Sequence, residues 1–167
     1  MTPNDRSILR DLARRVAEVA ADPIQDERRT LWRAQNRLQP IRPLIFFSPE
    51  GSWIELAPEA TLQCQDDDAR GVERALRQRL YAQEHFHDDT VCDADYRLGR
   101  ILRDTGWGVG ETITRPEESR GAYVWDAPIK TRADLERMTQ PTVAVDEAAS
   151  ARVLAFHQDL FGDILNV

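Results

Sequence analysis

The chain has 167 residues and a formal net charge of −7, with 22 Lys and Arg against 29 Asp and Glu. That length carries one ordinary domain core, and no apolar run approaches the roughly 20 residues that span a bilayer. Lys130 is the only lysine, and the arginines alternate with acids, as in DERRTLWR and ARGVERALRQR. This is the pattern of solvated helix faces rather than the one-sign basic stripe of a nucleic-acid surface.

The start of the chain, MTPNDRSILRDLARR, is charged and has no apolar signal core, which gives the expectation of a cytoplasmic protein. The first helix is predicted from Pro3 to about Ala21, with Ile8, Leu12, Val16 and Val19 on one face. Asp22-Pro23 stops it and caps a second helix, expected to reach Leu38 with Ile24, Leu31, Gln35 and Leu38 on one stripe. So short a turn predicts a helical hairpin over 1–42.

Next, PLIFFSP reads as a buried strand, being a short apolar run between prolines. Residues 50–65 read as irregular, anchored by Trp53, Ile54 and Leu56. Asp66, Asp67 and Asp68 precede a strong helix to about Phe86, their charge favourable at its positive end. Val72, Leu76 and Leu80 mark its inner side.

TVCDADY reads as a strand, RLGRILRDTG as one or two helical turns, GWGVG as a mobile loop and GAYVWDAPI as a strand. Thr131 with Asp134 forms a capping-box pattern for a short helix through about Met138. A last helix is expected over about 146–161, with Val153, Phe156 or His157, and Leu160 inward, then Gly162 as its stop and DILNV as a starting strand. The order, helical first and then alternating, predicts an α/β fold that is predominantly helical.

Few residues bear chemistry. Cys64 and Cys92 are too few for a disulfide framework and read as free structural thiols. His85 and His87, two apart at a helix end, do not converge, and His157 lies far along the chain, so no metal site is expected. Asp88-Asp89 reads as solvating a turn. Asp93 and Asp95 share one face of a predicted strand near its C-terminal end, where barrel enzymes gather active-site groups. GWGVG lacks the dinucleotide spacing, and the serines lack a nucleophile elbow.

Five segments in order resemble the N-terminal part of the uroporphyrinogen decarboxylase-like superfamily: RPLIFFSPEGSWIEL, DDTVCDADYRLG, TGWGV, APIKTRADLERMTQP and FGDILNV. The resemblance implies the first βα units of an incomplete TIM (β/α)8 barrel over 43–167. Its parent would be a decarboxylase (a lyase) or a related cobalamin-linked methyltransferase acting on a small molecule. The family's catalytic aspartate matches Asp95 best and Asp93 second. Its substrate-binding Met-Arg-Gln-Ala-Gly-Arg motif falls on 47–52, where Gly51 matches and Ser48 and Ser52 replace both arginines. A polycarboxylate wants fixed guanidinium partners, so this departure points to a non-porphyrin substrate.

A barrel takes about 250 residues. The expectation is therefore a fragment, inactive alone and self-associating through an apolar DILNV edge. The alternative is a non-catalytic remnant acting as a binding or assembly module. No cofactor is expected, zinc and a corrinoid entering only if the parent belongs to the methyltransferase branch.

Overall fold

A computed structural model describes residues 1–116 and 121–167. Two compact units divide them: Met1–Leu98 with Leu154–Val167, and Gly99–Val153. Both helices and short strands are present, and helix predominates.

In the first unit, α1 runs Pro3–Ala20 from a capping box at Thr2. Thr2 Oγ1 accepts from Asp5 N at 3.1 Å, and Asp5 Oδ2 accepts from Thr2 N at 2.9 Å. Leu9, Leu12, Ala13 and Val16 are buried along one face, with Ile8 and Val19 packed at its margin. That face lies along α4, Asp67–His85, which Asp66 caps by accepting from Ala69 N at 3.0 Å. Leu76 and Leu80 of α4 are buried, as are Cys64, Cys92, Leu160, Phe161 and Leu165. The core therefore joins α1, α4 and the C-terminal half of α6, Glu147–Phe161.

The second helix, α2, runs Ile24–Asn36 and departs from expectation at its end and on its buried side. Leu38 takes φ +55° and is 92 % exposed. Its N–H reaches Gln35 O at 3.0 Å and the Gln39 N–H reaches Ala34 O at 3.0 Å, the paired bonds of a left-handed helix stop. Ile24 and Gln35 also face outward, while Gln25 is buried, its amide bonded to Gln83 and Cys92. The principal partner of α1 is α4, not α2.

PLIFFSP belongs to no sheet, and its Ile45, Phe46 and Phe47 are each more than half exposed. TVCDADY likewise forms no ladder, except for one parallel bridge between Asp95 and Asn166. Between them, Glu50–Ser52 forms one 3₁₀ turn and Trp53–Leu56 forms α3. DILNV does not present an apolar edge: Leu165 is buried, and Ile164 and Val167 pack against the core.

Among its described residues the second unit holds two antiparallel pairs. β1 (Leu102–Asp104) pairs with β4 (Val143–Val145), and β2 (Thr112–Thr114) pairs with β3 (Val124–Asp126). β1 falls where helical turns were expected, because its backbone finds partners in β4 some forty residues on. β3 lies within the predicted strand GAYVWDAPI. The capping box closes as read, with Asp134 Oδ2 accepting from Thr131 N at 2.8 Å, but the helix it opens, α5, covers only Arg132–Leu135.

The GWGVG loop is pinned. Gly106 and Gly108 take φ +63° and +75°, and Thr139 N donates to Trp107 O at 2.9 Å. A Cβ on Gly108 would fall 2.9 Å from Arg137 O and 2.7 Å from Thr139 Oγ1, so only glycine fits there.

Candidate functional site

After α4 the chain turns at His87, φ +50°, and runs through 91–98 without regular structure apart from a bend at Ala94 and a bridge at Asp95. Tyr96 N donates to Asn166 O at 2.7 Å and Asn166 N donates to Ala94 O at 2.9 Å, so two segments 71 residues apart meet in parallel. The Asn166 side chain adds a bond from Nδ2 to Asp95 Oδ1 at 3.3 Å.

Asp93 and Asp95 are brought together by one cation. Arg97 Nη2 donates to Asp93 Oδ2 at 2.7 Å and to Asp95 Oδ2 at 3.1 Å. From α4, Arg79 donates to Asp93 Oδ1 at 2.8 Å, to the Asp93 carbonyl, and to Asp95 O at 3.1 Å. The Asp95 N–H also reaches Asp93 Oδ1 at 3.2 Å. Tyr96 stacks on His157 with centroids 5.3 Å apart and packs on Phe161 at 4.9 Å. Burial pushes its hydroxyl above the usual tyrosine value.

The hydrogen bond from Asn166, and then that from Arg97, hold the Asp95 carboxyl below its ordinary range. Asp95 is therefore an anion at neutral pH, with its side chain 42 % exposed. It can accept hydrogen bonds and offset positive charge that develops on a bound molecule. Holding no proton at that pH, it cannot serve as a general acid.

The second expected group lies elsewhere in the same unit. Ser48, Gly51 and Ser52 are exposed on the stretch between Phe47 and Trp53. Phe47 packs edge-on against Phe86 at 4.8 Å, and Trp53 packs on Phe86 and Tyr81 at 5.8 and 5.9 Å. Glu50, between the serines, takes φ +43°, a left-handed backbone that costs a non-glycine residue roughly 1 kcal/mol or more.

Asp88 and Asp89, read from the sequence as solvating a turn, are 7 % exposed and hold this stretch in place. Asp89 accepts two bonds from Arg42, at 2.5 and 2.8 Å, and one from Ile45 N at 2.8 Å. Asp88 accepts from Phe47 N at 2.9 Å and from Thr90 Oγ1 at 2.7 Å. Trp32 Nε1 donates to Asp89 O at 2.7 Å. Paired with Arg42, Asp89 stays far below the ordinary carboxyl range. These carboxylates take the backbone donors that a neighbouring strand would otherwise take, which is why PLIFFSP joins no sheet.

Of the groups around Asp95, Arg97 is not singled out by the sequence reading, although its spacing, four and two residues after the aspartates, is a signal that could have marked it. Arg79 and Asn166 carried no local signal. His85 packs tilted against Tyr81 with centroids 4.2 Å apart, and among the described residues no three His, Cys, Asp or Glu side chains are placed to hold a metal. Nor is any helix among them long and apolar enough to cross a membrane. No protein-family model, curated protein or solved structure matches the chain.

Proposed function

We propose that the chain forms the N-terminal part of a uroporphyrinogen decarboxylase-like enzyme, with Asp95 as the anionic catalytic group and a substrate less acidic than uroporphyrinogen. The observation that carries this reading is the parallel bridge between Asp95 and Asn166. Parallel segments need a long connection, ordinarily closed by a helix, and here α6 leads directly into the second segment. On this reading the bridge marks where a βαβ unit would begin, and it would put an ionised aspartate on the first segment, where a barrel collects catalytic groups.

Arg97 and Asn166 then act as positioning residues, each holding one oxygen of Asp95. Exposed Ser48 and Ser52 supply no cation for a carboxylate, and Glu50 between them adds negative charge. Two charge-assisted bonds, each worth about 1.5–3 kcal/mol, are forgone relative to arginines. This corresponds to roughly a hundredfold or more in affinity for a polycarboxylate. The reaction is then a decarboxylation or a methyl transfer, with zinc or a corrinoid entering only in the second case.

The test is a titration with uroporphyrinogen of a protein carrying this chain with downstream barrel units, beside its Ser48→Arg, Ser52→Arg variant. Weak binding that tightens in the variant is expected. Submicromolar binding by the unaltered protein, unimproved by the arginines, overturns the substrate reading. Turnover that survives Asp95→Asn overturns the assignment of the aspartate.

A further inference from the structure

The geometry points to a binding site for a quaternary ammonium cation in a groove of the second unit, between Trp107 and Trp125. The groove is also lined by Val109, Glu111, Ile129 and Met138. It draws on two separately built elements. Trp125 sits in β3, opposite Ile113 of β2. Trp107 sits between Gly106 and Gly108, whose left-handed backbones and the Thr139 N–H to Trp107 O bond fix where its ring emerges. Trp107 and Trp125 are 52 % and 53 % exposed as whole residues, so much of their surface remains open to a ligand.

Among the described residues, the wall carries one carboxylate. Trp125 Nε1 donates to Glu111 Oε2 at 2.8 Å, which places the negative charge beside the ring and orients the indole. Aromatic faces attract a cation through their quadrupole, most strongly for Trp, and the carboxylate adds Coulomb attraction of the same sign. The class of cation follows from the rest of the lining. Val109, Pro128, Ile129 and Met138 offer apolar surface rather than hydrogen-bond acceptors. A primary ammonium or a guanidinium could bond the Glu111 carboxylate alone and would lose water from its remaining N–H donors without replacement. A trimethylammonium group has no such donors, covers its charge with methyl groups and buries them against that surface. The single carboxylate disfavours an anion, and one acceptor is too few for the hydroxyls of a sugar.

The 167-residue chain can be titrated with choline and with its neutral isostere, 3,3-dimethylbutan-1-ol, while the indole N–H resonances are followed by NMR. Four tryptophans make assignment by single Trp→Phe substitution direct. Choline is expected to shift the Trp125 resonance saturably, with the neutral alcohol about tenfold weaker or more, and Trp107→Ala to weaken choline roughly fivefold. Glu111→Gln keeps an acceptor for the indole and removes only the charge. It is expected to weaken choline several-fold and leave the alcohol unchanged, and it decides the matter even if the Trp107 variant fails to fold. Equal binding of the two ligands, no saturable shift, or choline binding indifferent to Glu111→Gln would each overturn the site.

Discussion

Glu73 and Cys64 show how a single buried residue sets both stability and reactivity. The Glu73 carboxylate, fully buried, accepts from Gln63 N and Cys64 N and from Arg77 Nε, at 2.7–2.9 Å. Burial pushes its pKa up, but the bonds from Cys64, Gln63 and Arg77 outweigh it and leave the value below the ordinary 4.5. Its contribution is therefore present above about pH 4.5 and is lost as pH falls through the lower folded value. Glu73→Gln is expected to cost about 2–3 kcal/mol at neutral pH and to flatten the acid limb of the stability profile, as denaturant melts against pH would read.

The same pocket pushes the Cys64 thiol up to about 12, by burial first and the Glu73 bond second. The thiolate is the reactive form, so Cys64 should resist a thiol reagent at pH 8 until denaturant is added. Mass spectrometry of alkylated protein, with and without denaturant, checks this. Because folding keeps this proton on, the contribution is complete below the ordinary 9.0 and is lost as pH rises toward 12.

Among the elements, α2 carries the clearest local strain. Its stop makes both bonds of the left-handed motif, yet the residue at the left-handed position is Leu38 rather than glycine. With its side chain almost wholly in solvent, Leu38 returns little burial for that backbone cost. Leu38→Gly is accordingly expected to stabilise the protein by about 0.5–1 kcal/mol, seen as a raised denaturation midpoint with unchanged slope. A loss of stability would mean that the side chain packs in solution. The contrast with Gly108 is instructive, since there an added Cβ meets backbone and only destabilisation can follow.

At the scale of the whole molecule, apolar surface is unevenly covered. The expected sticky edge at DILNV packs inward through Leu165, whereas Ile45, Phe46 and Phe47 are 64 %, 65 % and 53 % exposed in consecutive positions. Carboxylates rather than a sheet hold that stretch, so its side chains gain no second layer. Contiguous apolar surface of this kind favours association. Light scattering is expected to show concentration-dependent association of the 167-residue chain, reduced by Phe46→Glu. A monodisperse monomer at high concentration, unaltered by that substitution, would count against it.

Helices were the legible part of this protein. Thr2, Asp66 and the spacing of Leu12, Val16, Leu76 and Leu80 specify α1 and α4 within their own segments, because a helix satisfies its hydrogen bonds four residues away and buries one periodic face. The capping box at Thr131 and the end of α6 were readable for the same reason. The extended stretches were not. Whether PLIFFSP, TVCDADY or RLGRILRDTG pairs depends on donors and acceptors tens of residues distant: Asp88 and Asp89 for the first, Asn166 for the second, β4 for the third. Burial of Asp5, Gln25 and Glu73 is equally a tertiary outcome, since a polar side chain enters a core only where the fold supplies its partners. Asp93 and Asp95 were visible as a pair in sequence. Arg79 and Asn166, which complete their surroundings, come from segments that only the folded chain brings together.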